Sequence, residues 1–474
     1  MSLSVVIGAL AASSASRPAL TATRAVATSA AIGSFLQGYH TGVVGGALLH
    51  LVPELKLAAK PALIGLIVTA ATIGSFVGTA SAAPLADVFG RRGSLQLASM
   101  LFVASSVLLA WSPSIRVLVA ARLLTGLAIG NAGAAVPIYI AEVSDPKNRG
   151  ALATLPQLFI SSGIFLSYVV CLALSLTFKR SPWRSMLGLS FVPSILFAIC
   201  MVSIPESPRW LLARNRKQEA KKALATLRGV PAQTDLVSAE FADLELAVQK
   251  KKGTDTKIQS SNAMVSLFST PHLRRTLAVV VILQTLQQFS GINAIVYYTP
   301  QTLKEAGVPS LFASIGFDAA AASLAATALA YLPRIPTMFA TMNLMDSYGR
   351  RSLLMAFVPI MGASLLALAC AGANTPILAV AATCVYGCAF SLSLGPIPNI
   401  LTSEMFPMHA RAAAMSVSLG VQFACNTLVG FFFPLLRAKI GTSAVLVVFA
   451  TVCFIGSFFT WRFVPETRGL SIDE

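Results

Sequence analysis

The feature that most limits the fold of this chain is a series of long apolar stretches that recurs from one end to the other. About twelve of them approach the ~20 residues that a helix needs to cross a bilayer. We therefore predict an all-α membrane protein with twelve transmembrane helices. The approximate bounds of the stretches are 25–49, 61–83, 94–111, 116–140, 152–177, 184–204, 276–300, 309–343, 352–371, 375–401, 412–436 and 442–464.

The composition supports a bilayer as the surroundings of most of the chain. Hydrophobic residues make up 55% of it and charged residues only 11%, and the mean hydropathy is +0.75. Soluble domains carry about 25% charged residues, so a soluble fold is excluded.

The net charge of +17 does not indicate a nucleic-acid partner. If both termini are cytoplasmic, most of the 35 lysines and arginines fall on the cytoplasmic side of the predicted spans. That bias is the positive-inside pattern of membrane proteins. We therefore predict a multi-pass protein with both termini in the cytoplasm and no nucleic-acid partner.

An internal repeat divides the chain into two halves. The sequence DVFGRR at 87–92 returns as DSYGRR at 346–351, about 260 residues later, between two long apolar runs each time. Glu142 with Arg149 is echoed by Glu404 with Arg411, and Pro205-Glu206 by Pro465-Glu466. The repeat predicts an N-terminal tail at 1–24, a six-helix half at 25–204, a cytoplasmic linker with short amphipathic helices at 205–275, a second six-helix half at 276–464, and a C-terminal tail at 465–474.

The first thirty residues and the cysteines add two smaller expectations. Residues 1–30 contain Ser, Ala, Thr and Arg but no acid, which fits either an organelle transit peptide or a short cytoplasmic tail. The seven cysteines are scattered through apolar segments without a CxxC pair, so we expect reduced thiols, no metal site and no cofactor.

The densest polar cluster within any span lies in the seventh stretch. Gln284, Gln287 and Gln288 share one helical face, and Ser290 and Asn293 follow. Unpaired amides in hydrocarbon cost several kcal/mol, so we expect these side chains to face a wet cavity. Amides both donate and accept hydrogen bonds, as neighbouring sugar hydroxyls require. Other candidate amides are Gln157, Asn399, Gln422 and Asn426.

The titratable residues near the membrane centre are His40, Arg122 and Arg334, because every Asp and Glu falls near the end of a predicted span or outside the spans. An ionisable group at that depth is a functional candidate by default. The alternative for His40 is a neutral side chain hydrogen-bonded in the bundle.

Several motifs together resemble the sugar porters of the major facilitator superfamily, over residues 30 to 470. They are the two DxxGRR turns, RLLTG at 122–126, Glu142 through Arg149-Gly150, PESPRWL at 205–211, QQFSGIN at 287–293, GPIP at 395–398 and PETRG at 465–469. LPQ at 155–157 and YYTPQ at 297–301 are similar to plant tonoplast monosaccharide transporters. GYHTGVVGGAL at 38–48 resembles plastidic glucose translocators.

The resemblance implies a role for each matching residue. Substrate ligands or pocket residues would be Gln157, Gln284, Gln287, Gln288, Asn293, Asn399, Gln422 and Asn426. Tyr297 and Tyr298 would form the outer gate, and His40 with Arg122 are the candidates for coupling to protons. A cytoplasmic charge network would comprise Asp87, Arg91, Arg92, Glu142, Arg149, Glu206, Asp346, Arg350, Arg351, Glu404, Arg411 and Glu466. His40 stands where proton-coupled members carry an Asp.

The sequence therefore predicts a transporter of monosaccharides, with glucose or another hexose as the expected substrate, and not an enzyme. Binding would occur at the midplane between two halves that rock around it. Transport is either facilitative or coupled to protons. The partners expected are the sugar, the lipid bilayer and, if coupled, protons, and we expect a monomer. A polyol or pentose transporter is the nearest alternative, and a sugar sensor that does not transport is the alternative from another class.

Overall fold

The computed structural model of the chain describes residues 18–145, 148–178, 182–231, 233–252, 265–372 and 375–467. The segment for which we predicted a transit peptide or a tail lies mostly outside these ranges, as do residues 468–474. Every regular element that we label within them is a helix.

Seven helices build the N-terminal half, and three short helices follow it. The seven are α1 (Pro18–Glu54), α2 (Pro61–Trp111), α3 (Ile115–Val143), α4 (Arg149–Ala153), α5 (Leu155–Thr177), α6 (Pro182–Gly188) and α7 (Phe191–Ser203). The next three are α8 (Pro208–Ala213), α9 (Lys217–Arg228) and α10 (Asp235–Lys252).

Nine further helices and a 3₁₀ helix build the C-terminal half. They are α11 (Pro271–Phe289), α12 (Ile292–Glu305), the 3₁₀ helix (Val308–Ile315), α13 (Ala319–Tyr331), α14 (Arg334–Tyr348), α15 (Arg350–Cys370), α16 (Pro376–Leu392), α17 (Ile397–Glu404), α18 (Met408–Ile440) and α19 (Thr442–Phe463).

These helices make the twelve predicted crossings. Within the described ranges, nine segments are long and apolar enough to cross a membrane, and one bent pair adds a tenth. One of the nine, α2, holds two crossings that meet at Gly90, where the backbone leaves the helical region. The last crossing is α1, whose 37 residues pack along α3 and α5. The predicted fold, two six-helix halves of a major facilitator bundle, is confirmed.

The two DxxGRR turns have almost identical backbones. Gly90 has φ +87° and ψ 168°, and Gly349 has φ +85° and ψ 168°. This region of conformational space is essentially open to glycine alone. A Cβ at either position would also collide with a carboxylate, that of Glu206 or of Glu466. Each turn therefore requires its glycine for two separate reasons.

Three crossings of the C-terminal half are broken. The backbone breaks at residues 290–291 between α11 and α12, at 332–333 between α13 and α14, and at 393–396 between α16 and α17. Gly291 has φ +89°, which permits the first break. A break leaves backbone groups that other side chains must satisfy, and it places polar groups at membrane depth.

The linker that we predicted at 205–275 contains a third helix after α8 and α9. Residues 235–252 form α10. Phe241, Leu244 and Val248 on α10 pack against the apolar cluster formed by Leu211, Leu212, Ala220 and Ala223 on α8 and α9. The spacing of three or four between these residues makes one apolar face.

The halves meet mainly at the end of the bundle away from the turns. We call the end with Gly90 and Gly349 the turn end, and the other the far end. Helix α1 packs against α12, and α5 against α13, and both α12 and α13 are the far-end parts of their crossings. The start of α2 packs against the end of α18, where a Cβ added at Gly65 would lie 2.7 Å from the Phe431 carbonyl oxygen. The Tyr168 hydroxyl on α5 donates to the Val296 carbonyl on α12 at 2.7 Å. The far end of the bundle is thus closed.

Candidate functional site

The amide cluster lies at the break between α11 and α12. Gln284, Gln287 and Gln288 occupy the last turns of α11 and are at most 2% exposed. The Gln288 amide donates to the Gln287 side-chain oxygen at 2.8 Å, and the Asn293 amide donates to the Gln288 oxygen at 2.5 Å. The structure therefore brings together the four residues of α11 and α12 that the sequence had predicted.

The cluster is anchored to a second broken crossing, the one between α16 and α17. The Gln287 amide donates to the carbonyls of Leu394 and Gly395 at 2.5 and 3.2 Å. The Gln284 amide donates to the Asn399 side-chain oxygen at 2.7 Å. Gln287 thus pairs with two carbonyls freed by the break, and Gln284 pairs with an amide side chain of the same crossing, which fixes the orientation of both glutamines.

Helix α18 supplies the opposite wall. The Gln284 amide also donates to the Ser418 hydroxyl on α18 at 2.9 Å. Gln422 and Asn426 follow Ser418 at intervals of four, so all three lie on one helical face. Sequence reasoning named Gln422 and Asn426 but missed Ser418, although its spacing from them was a usable signal.

Three acceptors in this region lack partners. Among the described residues, the side-chain oxygens of Gln284, Gln422 and Asn426 are buried without a hydrogen bond. An unpaired buried polar atom costs about 1–3 kcal/mol. A ligand with several hydroxyl donors would remove that cost.

Tyr297 and Tyr298 close the far end of the candidate site. The Tyr298 hydroxyl donates to the Gly430 carbonyl on α18 at 3.3 Å, and its ring stacks on Phe433 at 4.7 Å. The Tyr297 ring also lies beside α18, because a Cβ added at Gly430 would lie 3.8 Å from its Cε2 atom. A Cβ added at Gly45 on α1 would lie 2.8 Å from the Tyr297 carbonyl oxygen. The two tyrosines therefore join α12 to α18, and their backbone packs tightly against the other half.

Gln157 stands apart from the amide cluster. It lies in the first turn of α5, toward the turn end, and is exposed. A residue that sequence reasoning did not single out, Gln37 on α1, points toward α3, where a Cβ added at Gly133 would lie 3.4 Å from its side-chain oxygen. These are the polar candidates on the N-terminal side.

His40 and Arg122 are both buried, but their side chains are not paired. The Arg122 guanidinium donates to the backbone carbonyls of His40, Ile67 and Val68 at 3.2 to 3.5 Å. The imidazole of His40 lies parallel to the Phe102 ring at 5.7 Å, and neither of its nitrogens has a hydrogen-bond partner among the described residues. The arginine contacts the histidine only through the backbone.

At the turn end, the N-terminal half holds a charge network around Arg91. Its guanidinium pairs with Glu142 and with Asp87, each at 3.1 Å. Glu206 accepts hydrogen bonds from the backbone N–H groups of Arg91 and Arg92, and the Arg92 side chain donates to the Val202 carbonyl at 2.7 Å. Burial raises the pKa of the Glu206 carboxyl, while the hydrogen bonds from backbone N–H groups oppose that rise.

The C-terminal half repeats this arrangement. Arg350 pairs with Glu404 at 2.9 Å, and Glu466 accepts from the backbone N–H groups of Arg350 and Arg351 at 2.8 and 3.1 Å. The Arg351 side chain donates to the Trp461 carbonyl at 2.7 Å. Arg411 donates to the Phe406 carbonyl at 3.3 Å. The side chains of Arg149 and Asp346, also predicted here, lie outside the part that the structure describes.

Ser207 and Thr467 extend the network in a way that sequence reasoning missed. The Ser207 hydroxyl donates to Glu142, and the Thr467 hydroxyl donates to Glu404 at 2.5 Å. Each residue directly follows the glutamate that caps its turn. Their equal offset from Glu206 and Glu466 was a signal in the repeat that could have identified them.

Comparisons with known proteins agree on one family. The profile of the family described as "Sugar (and other) transporter" matches residues 26–474. The chain is 35% identical over 453 residues to plastidic glucose transporter 4 of Arabidopsis thaliana, covering 94% of this chain and 78% of that one. It is 32% identical to probable polyol transporter 6 of the same plant, covering 94% and 92%.

Solved structures show the same fold. The inward-open conformation of the xylose transporter XylE from E. coli matches with a TM-score of 0.79 and 25% identity, over 95% of this chain and 98% of that one. The proton:xylose symporter XylE bound to 6-bromo-6-deoxy-D-glucose matches with a TM-score of 0.72 and 26% identity, over 96% and 98%.

Proposed function

We propose that this chain, which belongs to the sugar transporter family of the major facilitator superfamily, carries a hexose across a membrane by alternating access. The observation that carries the proposal is the set of three unpaired amide oxygens on the facing helices α11 and α18, those of Gln284, Gln422 and Asn426. Sugar hydroxyls can donate hydrogen bonds to these three oxygens. The amide N–H groups of Gln287, Gln288 and Asn293 already donate to neighbouring groups, so the orientation of these side chains is fixed.

The conformation supports the alternating-access part of this proposal. Tyr297 and Tyr298 lie at the closed far end. Of the two XylE structures compared above, the inward-open one has the higher TM-score. We propose that the turn end faces the cytoplasm, with both termini, because most of the lysines and arginines fall on that side. A fluorescent protein fused to the C-terminus and expressed in bacteria would then fluoresce. A fusion that is inserted in the membrane but does not fluoresce would show that the C-terminus lies on the opposite side.

We place the two halves at 25–204 and 276–464, with a linker at 205–275 between them, and propose that one chain is sufficient for transport. Gln284 joins α11 to α17 and α18 within a single chain, so the amide cluster needs no second copy to form. Single-molecule counting of photobleaching steps in liposomes that transport would test the monomer.

We propose facilitative transport as the first mode. No Asp or Glu lies within the middle of a crossing, and the His40 side chain makes no hydrogen bond to Arg122. Proton coupling through an acidic side chain that pairs with an arginine in the membrane therefore lacks its acid in this chain. Proton-coupled transport is the second candidate, and the observation that favours it is the likeness to XylE, a proton:xylose symporter.

A polyol is the second candidate substrate, because a probable polyol transporter is 32% identical to this chain over most of both lengths. The test is counterflow: proteoliposomes are loaded with unlabelled D-glucose, D-xylose or sorbitol, and the entry of the same compound in labelled form is followed. Acceleration by D-glucose supports the hexose proposal. Acceleration by none of the three, with verified insertion, would contradict transport and favour a sensor.

Two variants make the counterflow test specific. Gln288→Ala removes the amide that links Gln287 to Asn293 and is expected to abolish most of the acceleration. Thr276→Ala is the control, because Thr276 is half-buried on the same helix and, among the described residues, its hydroxyl donates to the His272 carbonyl of its own helix. Equal loss in both variants would contradict a role for the amides.

A further inference from the structure

Arg334 lies at the broken crossing between α13 and α14 and is not explained by the amide cluster. It is only 6% exposed. Its Nε donates to the Ser391 hydroxyl at 2.9 Å, and its Nη1 to the Tyr331 hydroxyl at 2.6 Å. Its guanidinium also lies over the rings of Tyr331 and Phe390, at 4.9 and 5.3 Å. The side chain is thus held in one place by neutral groups.

No carboxylate balances this charge. Among the described residues, Arg334 takes part in no ion pair, whereas Arg91 and Arg350 pair with glutamates at the turn end. Every acid of the chain lies at the end of a crossing or outside the crossings. Arg122, the other buried arginine of the midplane, contacts only carbonyls. A buried ion without a partner is costly, so its retention in a crossing suggests a ligand that pairs with it.

A small cavity lies next to the guanidinium, between the two halves. Its volume is about 20 Å³, and its lining includes Tyr168 from α5, Thr299 from α12, and Thr383 and Tyr386 from α16. The hydroxyls of Tyr168 and Tyr386 donate to the carbonyls of Val296 and Ser290. Nη2 of Arg334 donates to no described residue, so it is the strongest donor left to a group that enters.

This cavity is lined by residues that neighbour the amide cluster along the chain. Tyr386 borders the cavity, and its hydroxyl donates to the Ser290 carbonyl at 3.0 Å, two residues after Gln288. Ile292 also lines the cavity, and the next residue, Asn293, donates to Gln288. A monosaccharide held by the amides would reach the guanidinium if it extended past Ser290 and Ile292 into this cavity.

We propose that Arg334 binds a carboxylate on the transported monosaccharide, so that the preferred substrate class is a sugar acid. The inference rests on the proposed function, since it assumes that the amides hold the sugar. The planar guanidinium suits a carboxylate, and charge-assisted hydrogen bonds are about twice as strong as neutral ones. The cavity is small, which suits a carboxylate better than a bulkier anionic group.

The test is binding of three labelled probes to the purified full-length protein in lipid nanodiscs. D-glucuronate carries the charge, D-glucuronamide has nearly the same shape without it, and D-glucose lacks the group. We expect D-glucuronate to bind about tenfold more tightly than D-glucuronamide, the ratio expected for one charge-assisted hydrogen bond in place of a neutral one. A ratio near one, with D-glucose still bound, would overturn the inference and leave the proposed function intact.

Variants assign the preference to Arg334. Arg334→Gln should reduce the ratio to near one while D-glucose binding persists, and Arg334→Lys should keep part of the ratio because it keeps the charge. Arg184→Gln is the matched control: it removes an arginine that pairs with Glu54 at 2.9 Å at the far end, and should leave the ratio unchanged. An unchanged ratio in Arg334→Gln would overturn the inference. Binding of none of the probes by the wild type would overturn the proposed function itself.

Discussion

The carboxylate of Glu206 accepts a hydrogen bond from the backbone N–H of Arg91 at 3.0 Å, across 115 residues of chain. Glu466 does the same for Arg350 at 2.8 Å, across 116 residues. Each glutamate thus fastens the end of the sixth crossing of its half to the turn between the second and third. The turns, the caps and the glutamate–arginine pairs form one unit that is repeated in both halves.

This unit makes the glycine of the turn indispensable. Gly90→Ala forces an alanine into a conformation that is essentially limited to glycine and places a methyl group against Glu206. We expect a loss of about 1–3 kcal/mol from the backbone conformation, and more from the collision. The measurement is the fraction of protein that remains monodisperse after heating. Gly150→Ala is the control, because nothing lies within 4 Å of its added Cβ. Equal stability of the two variants would contradict this description of the turn.

The ion pairs of the two halves should have similar strengths. Arg91–Glu142 and Arg350–Glu404 are 3.1 and 2.9 Å long, and all four side chains are less than a third exposed. Two double-mutant cycles, with Arg→Met and Glu→Gln, should each give a coupling energy of about 0.5–3 kcal/mol in detergent stability. Additive effects within either cycle would mean that the contact in that half contributes nothing.

Much of this arrangement was predictable from the sequence, because the repeat and the apolar runs are regular. The crossings, the paired turns and the charges near them follow from spacing alone. The lengths of the helices do not, since α1 continues from Pro18 to Glu54, well beyond its apolar core. The hydrogen bonds inside the membrane could not be predicted from the sequence either, because they depend on breaks in the helices that free backbone carbonyls.

The candidate site was likewise predictable from the sequence only in part. The spacing of Gln284, Gln287 and Gln288 predicted that they lie together on one helical face. That Gln287 would pair with the Leu394 carbonyl, more than 100 residues away, required the three-dimensional structure. The same is true of His40. The sequence places His40 and Arg122 at the same depth of the bundle, but it does not reveal that Arg122 donates to the backbone carbonyl of His40 and not to its ring.

Binding and stability should separate at the amides. The Gln422 side-chain oxygen has no partner among the described residues, so Gln422→Leu should leave the thermal stability nearly unchanged. Sugar affinity should fall about tenfold, the effect of losing one good hydrogen bond. Gln287→Ala instead removes the donor to Leu394 and Gly395 and should lower both stability and affinity. If Gln422→Leu binds sugar normally, Gln422 does not contact the ligand.

The imidazole of His40 should not control a proton-dependent step. His40→Asn keeps the backbone carbonyl that accepts from Arg122 and removes only the ring that lies against Phe102. We expect initial uptake to depend on pH as in the wild type, over the range of about 5 to 8 in which histidines titrate. A flattened profile in the variant would assign the pH dependence to this ring and favour the proton-coupled candidate.

The most direct test of the central claim is uptake of labelled D-glucose and D-glucuronate into proteoliposomes, with and without an imposed pH gradient. The account predicts saturable uptake, faster than in liposomes without protein. It predicts that D-glucose reaches the outside concentration but does not exceed it in either condition. Accumulation only with the gradient would establish proton coupling in place of facilitation. Absence of saturable uptake of both compounds, by protein shown to be folded and inserted, would contradict transport of a monosaccharide between the two halves.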